Sequence, residues 1–379
     1  MSHAPADALS ARHRNVRAAC ASRSLDALVI TSLPNILYLT NFTGSSAIVV
    51  LTADRLRFIT DFRYVTAVTA AIGTGSACPG LELITVDGSY DATLAAVLQS
   101  TGSTRVGFEA GNLTVARYDW LKATLGSADS GIALVATEGV VERARARKDD
   151  YELTTLRTAA AMLSRVVPGA IEEVRLGRTE RDVAHAIDER LRREGFDRTA
   201  FDTIVAAGPN SALPHAHPGE RRITENDLVV LDFGGVYDSY CVDLTRTVAV
   251  GKADARMREV YEAVLAAHDL AIDAVRPGVS RFTIDAAARD ELDRRGFGEA
   301  FGHGTGHGLG IEVHESPRVG KRRAEEAGDD EIVEAGMVFT IEPGAYLPGW
   351  GGVRIEDDVV VTETGVERLT TAMTELIEK

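Results

Sequence analysis

Over the first 140 residues, short apolar runs alternate with stretches of helical periodicity. Ala27–Thr31, Ala47–Thr52, Leu56–Thr60, Leu81–Val86 and Arg105–Glu109 are compact and apolar, the pattern of largely buried strands. Helices are predicted between them near Ser10–Ala21, Arg63–Ile72 and Ala92–Leu98. Strands and helices in alternation predict an α/β layer domain around a central sheet. The charged run Val141–Asp150 lacks apolar periodicity and reads as a connector. The expected organisation is therefore a domain over 1–140, a linker over 141–149 and a second domain over 150–379. The second opens on a helix, Asp150–Val167, with Leu153, Leu156, Ala160 and Leu163 at helical spacing and an expected stop at Pro168-Gly169.

The second domain contains two related halves. Gly177–Phe196 and Gly278–Phe297 each run from Gly to Gly-Phe and suit one amphipathic helix, with six of twenty positions identical. Each is followed by a histidine-bearing loop and an apolar strand ending in an acid. These strands are Leu228–Leu231 before Asp232, and Val338–Ile341 before Glu342. A turn then leads to a returning strand with a second acid, Asp243 or Glu356. The recurrence predicts an α+β domain with a pseudo-twofold internal repeat.

Composition narrows the function. With 379 residues and 45% hydrophobic, the chain can bury two or three cores. Lys+Arg is 41 against 56 Asp+Glu, a net of −15, so nucleic acid and anionic membrane are not expected partners. Cys20, Cys78 and Cys241 form no CxxC, which argues against a disulfide scaffold or thiolate zinc cluster and fits a reducing compartment. The first twenty residues contain no apolar leader segment, and no apolar run approaches membrane-spanning length. A cytoplasmic protein is expected.

The acids carry the chemistry. Asp232 leaves a core strand and Asp243 returns on the next, so a hairpin could bring both onto one face. Adjacent carboxylates repel and need a proton or cation between them. With Glu342 and Glu356 at matching places, the cluster would be intolerable without positive charge. FGHGTGHGLG, residues 301–310, adds imidazoles at His303 and His307, and its glycines allow close approach of neighbouring backbone. HExxH, a GK[ST] phosphate loop and GxSxG are all absent from the chain. Oxygen donors and an imidazole favour hard divalent ions such as Mn²⁺, with Co²⁺ or Zn²⁺ open. A shared ion pair, roughly 3.5 Å apart and holding a hydroxide, would support metal-assisted hydrolysis.

The series Asp, Asp, His, Glu, Glu in LDFGGVYDSYCVDLTRT, GHGTGHGLGIEVHE, TIEPGAY and GGVRIEDD resembles the dinuclear pita-bread metallopeptidases: methionine aminopeptidase, aminopeptidase P and prolidase. LPNILYLTNFTGSSAIVVLTADRLRFITDFRY resembles the creatinase-like domain that precedes the catalytic part in the proline peptidases. The resemblance implies two divalent ions per subunit. Asp232 would chelate one, Asp243 and Glu356 would bridge both, and His307 and Glu342 would complete the other. It further implies that Glu342 moves the proton, that His215 assists near the leaving group and that His314 stabilises the carbonyl oxyanion. His303, Tyr346 and Arg354 would bind substrate or support the ligands.

The same resemblance implies a proline-containing peptide substrate and a homodimer or homotetramer, with Asn35, Asp61, Arg63 and Tyr64 as candidates to reach a neighbouring subunit's site. The leading expectation is an aminopeptidase cutting the Xaa-Pro bond at peptide N-termini; the alternative is an Xaa-Pro dipeptidase, or prolidase. A dipeptidase must read the free proline carboxylate, and Arg318, Lys321, Arg322 and Arg323 of the charged stretch Ser316–Asp330 are candidates without a definite alignment. A metal-free creatinase-type amidinohydrolase and a non-catalytic peptide-binding module are both disfavoured by the intact ligand set.

Overall fold

A computed structural model describes residues 3–126, 131–322 and 332–379. The chain separates into two compact units, Met1–Arg145 and Ala146–Lys379. The expected charged loop therefore lies only partly within the described residues; Arg323 and the acids up to Asp330 lie outside them.

The first unit runs α1 (Ala6–Ser22), β1 (Ala27–Ile30), α2 (Leu33–Thr40), β2 (Ile48–Thr52), β3 (Leu56–Thr60), α3 (Phe62–Ala71), β4 (Leu81–Thr85), α4 (Tyr90–Ser100), β5 (Arg105–Glu109), α5 (Val115–Leu125), β6 (Ala133–Thr137) and α6 (Val140–Ala146). Its mixed sheet has the order β4-β3-β2-β1-β5-β6. Every residue of β1 and β2 is buried, which is why these strands read as unbroken apolar runs rather than alternating ones. On one face Val29, Val50 and Ile59 pack with Leu94 and Leu98 of α4 and Leu121 and Leu125 of α5. The expected connector over 141–149 is instead largely helical, because α6 covers Val140–Ala146.

Asn35 is fully buried inside this unit. Its amide donates to Glu109 (2.6 Å) and Glu142 (2.7 Å) and its oxygen accepts from Arg145 (2.7 Å), so it is a buried support and not available to another subunit. Asp61 and Arg63 pair with each other, and the Tyr64 hydroxyl meets Ser45 at 2.7 Å.

The second unit is built twice over. Its first half holds α7 (Asp150–Glu173), α8 (Glu180–Glu194), β7 (Arg198–Thr199), β8 (Ile204–Ala207), β9 (Leu228–Tyr237) and β10 (Tyr240–Ala249). The second half holds α9 (Ala255–Ala274), α10 (Arg281–Arg294), β11 (Gly306–Gly308), β12 (Glu315–Val319), β13 (Val338–Ile341), β14 (Gly344–Leu347), β15 (Gly351–Arg354), β16 (Asp357–Val361) and β17 (Val366–Arg368), and β18 (Ile377–Glu378) closes the chain.

The repeat extends to backbone detail. Both long helices start on an Asp cap, Asp149 or Asp254, and end at an extended valine, Val174 or Val275. Three residues on, Gly177 (φ +81°) and Gly278 (φ +84°) take a left-handed turn that an L side chain would strain. Each glycine N–H donates over 2.9 Å to a main-chain carbonyl a few residues ahead of the strand that follows, that of Ile223 before β9 or Val333 before β13. Thr179 and Ser280 then cap α8 and α10.

The expected stop of α7 at Pro168-Gly169 is wrong: the helix continues to Glu173 with Pro168 inside it. Pro168 is exposed, and Val166, Val167, Ala170 and Ile171 carry the buried face straight past it. That packing outweighs the missing hydrogen bond.

Candidate metal centre

In the first half, β9 and β10 pair without interruption over all ten residues, Leu228 against Ala249 through Tyr237 against Tyr240. Asp232 lies opposite Thr245, and Asp243 opposite Gly234. The two acids are thus diagonal neighbours on one face of the hairpin, within mutual electrostatic reach.

In the second half the corresponding strands are broken. Pro343 has no N–H to give a ladder, so β13 ends at Ile341 and β14 begins at Gly344, while β15 and β16 part around Ile355-Glu356. The gap frees Glu356 to cross to the other half. Its N–H donates to the Thr245 carbonyl (3.1 Å), and its carboxylate accepts the Thr245 hydroxyl (2.5 Å). Glu342 is anchored by its N–H to the Thr305 carbonyl at 2.7 Å.

His307 sits on β11, which lies against β12 and β13. A Cβ at Gly306 would come within 1.8 Å of the Thr340 carbonyl oxygen, so only glycine lets this strand lie so close. The His307 Nδ1–H donates to the Gly308 carbonyl (3.1 Å), because a carbonyl can only accept. That leaves an Nε2 lone pair facing Glu342 (3.6 Å) and Asp243 (4.0 Å).

Asp232, Asp243, His307, Glu342 and Glu356 all line one cavity of about 590 Å³ in this unit. Burial, reinforced by Glu356, Asp232, Asp358 and Glu342, pushes the Asp243 carboxyl well above its ordinary range. Burial likewise raises Glu356, with Glu342 and Asp232 adding to it, and raises Glu342. His307 is held below its ordinary value by burial, so the ring is neutral.

A lone pair aimed between carboxylates is repulsive unless a proton or cation lies among them. Asp243, His307 and Glu356 offer ligand atoms all within 4.8 Å of one another. Oδ1 of Asp232 and Oδ1 of Asp243 are buried without a hydrogen-bond partner. These orphaned oxygens, with an imidazole already in the tautomer that presents Nε2, fit a divalent cation.

The remaining expected site residues divide into rim and support. His215, His303, His314 and Arg354 line the cavity. Tyr346 stands behind them in a chain of bonds. His303 Nε2 accepts from the Tyr346 hydroxyl (2.8 Å), Tyr346 accepts from Arg354 Nη1 (2.9 Å), and Arg354 Nη2 donates to Asp232. Burial opposes the Arg354 charge, but Tyr346, Asp232, Glu356 and Glu342 more than offset it.

Sequence reasoning missed several neighbours. Thr245, Thr340 and Asp358 orient the ligand strands: Thr340 Oγ1 takes the His307 N–H (3.1 Å) and Asp358 takes the Asp243 N–H (3.0 Å). His217 also lines the cavity, with His215, and Arg318 lines it opposite His307. Trp350 is not among the cavity residues; it packs on the core beneath Arg256 at 4.4 Å.

A duplicated α+β domain with an acid- and imidazole-lined centre at the seam of its halves defines a metallohydrolase of the pita-bread architecture. Residues 154–363 match Metallopeptidase family M24 and residues 12–147 match the Creatinase/Prolidase N-terminal domain. The chain belongs to metallopeptidase family M24, with a creatinase-like N-terminal domain.

It is similar over 98% of its length to the whole of an Xaa-Pro dipeptidase from Bacillus anthracis, at 35% identity and TM-score 0.90. An Xaa-Pro dipeptidase of Pyrococcus furiosus is 41% identical over 240 residues, 63% of this chain and 67% of that one. The X-Pro aminopeptidase of Thermotoga maritima is 31% identical, covering 94% of this chain and 98% of that one at TM-score 0.83. Divalent-metal binding follows from the family and from the donor cluster.

Proposed function

We propose that the protein is an Xaa-Pro dipeptidase that hydrolyses the bond before a C-terminal proline. The single observation carrying this reading is the convergence of buried Asp232, Asp243 and Glu356 with half-buried His307 and Glu342 at one cavity. The choice of dipeptidase over the aminopeptidase first expected rests on the relatives named Xaa-Pro dipeptidase and on Arg318, which lines the cavity and offers a guanidinium for a free proline carboxylate.

Asp232, Asp243, His307, Glu342 and Glu356 would hold two divalent ions, with Mn²⁺ the metal we propose; when bound, they polarise the scissile carbonyl and acidify a water. Glu342, its proton affinity raised by burial, takes the proton from the attacking water and delivers it to the proline nitrogen as the C–N bond breaks. His314 donates to the carbonyl oxygen as negative charge develops there, and His215 steadies the departing nitrogen. His303, Tyr346 and Arg354 hold Asp232 and the cavity wall in place. A cytoplasmic homodimer or homotetramer is the assembly we propose for it.

The test is to strip the protein of metal, add Mn²⁺ and compare Xaa-Pro with Xaa-Pro-Yaa. Release of Xaa from dipeptides alone is expected, and Arg318→Ala should raise KM for them at least about tenfold, near 1.4 kcal/mol. Cleavage of tripeptides with dipeptides intact would return the reading to an aminopeptidase. No cleavage of either with any divalent ion would overturn both.

A further inference from the structure

Behind the metal centre lies a buried guanidinium with no place in the reaction above. Arg246 is only 2% exposed. Its Nη1 donates to the main-chain carbonyls of Glu356 (2.6 Å) and Thr245 (2.9 Å), the two residues through which the halves of the domain meet. Nη2 donates to Asp357 (2.8 Å) and to the Ala372 carbonyl (2.8 Å), and Nε to the Met373 carbonyl (2.7 Å). One rigid fork therefore joins the backbone at Glu356, the Thr245 strand and the C-terminal segment.

That segment is tied down on its own account. Thr370 donates to Asp357 (2.6 Å), the Tyr261 hydroxyl donates to the Thr374 carbonyl (2.8 Å), and β18 adds a parallel strand beside Val248 and Ala249. The stretch after residue 363 lies beyond the part of the chain that matches family M24.

We infer that Arg246 is a positioning residue that couples the order of the C-terminal segment Thr371–Thr374 to divalent-metal binding, by fixing the backbone that carries Glu356. Carbonyl oxygens from the tail satisfy donors that would otherwise be buried and unpaired, so losing the tail leaves the fork free to pull on Glu356 and Thr245 instead. Coupling between two sites is reciprocal: metal should order the tail as the tail supports the metal. A lysine in place of Arg246 keeps the charge but cannot span all these acceptors.

The inference rests on the proposed divalent-metal centre, so Mn²⁺ binding to the full-length protein, measured by calorimetry, comes first; its absence would count against that centre and not against the clamp. Two shortened chains then separate the clamp from the terminal strand. A chain ending at Thr374 lacks β18 but retains the carbonyls of Ala372 and Met373, and should bind Mn²⁺ within about threefold of full length. A chain ending at Thr370 lacks both carbonyls and should bind on the order of tenfold more weakly. Equal affinity in all three chains, or equal weakening in both shortened ones, overturns the inference. If the shorter chain does not fold, Arg246→Lys decides, with unchanged affinity sinking the proposal. In the full chain, Mn²⁺ should slow amide exchange at Thr371–Thr374 at least about threefold, the converse of the same coupling; identical exchange with and without metal also overturns it.

Discussion

The two halves of the catalytic domain share a plan and differ in the continuity of their hairpins. In the first, β9 and β10 form an unbroken hairpin that delivers Asp232 and Asp243 from within regular pairing. In the second, Pro343 and the gap before Asp357 open the same hairpin, and it delivers Glu342 and Glu356 from the break. A glutamate reaches one methylene further, which suits acids that start outside the ladder. The unbroken half acts as a fixed wall, and the broken half supplies backbone that crosses the seam to Thr245. Duplication supplied the frame; the interruption made the frame into a site.

The most severe way to break this comparison is Asp243→Asn. It removes an acid from the fixed wall that faces acids of the broken half, and kcat/KM should fall at least about a thousandfold, near 4 kcal/mol. Metal-free thermal stability should not fall, since a repelling acid is lost. A steady-state assay beside calorimetry checks both.

Next comes pH. Asp243 and Glu356 are raised in the folded state, so above about pH 4 the folded protein retains protons that the unfolded chain has released. Their contribution is present at low pH and is lost as pH rises through the folded values. His303 and His307, lowered by burial, act oppositely only below about pH 6.5. Above about pH 6.5, metal-stripped protein should therefore melt progressively lower as pH rises through the folded values of these acids, and saturating Mn²⁺ should remove most of that slope. A flat profile without metal would mean that the two halves do not press their acids together.

A smaller effect sharpens the seam itself. Thr245→Val deletes the hydroxyl between Glu356 and Arg354 and should reduce kcat/KM about tenfold, with Mn²⁺ affinity lowered in parallel. The smallest concerns the long helices. Pro168→Ala gives α7 back the one backbone N–H it lacks relative to α9, and should raise stability by about 1 kcal/mol with no change in turnover.

Much of this was visible in the chain. Strands buried on both faces, such as Ile48–Thr52, leave a dense apolar signature, and Leu56–Thr60 and Arg105–Glu109 have the bounds the pattern predicts. The acids stood out because each ends or follows a core strand at a repeated place. Elements with little buried surface were missed: α5 buries only Leu121 and Leu125, and β6 is a half-exposed ALVAT. Leu33–Thr40 is too short for its period to separate helix from an apolar run. The supports of the site were illegible for a different reason. Thr245 matters through Glu356, 111 positions away, and Asp358 through Asp243, 115 away, and no local pattern encodes such pairings.

The bond from His307 to the Gly308 carbonyl settles where protons go when an ion arrives. The imidazole enters the encounter neutral and already turned, so it has nothing to discharge and no rotation to complete. Protons expelled on loading then come from the crowded carboxyls and from the water the ions acidify. Heats of ion uptake measured in buffers of different ionisation enthalpy would count those protons, leaving the ring silent.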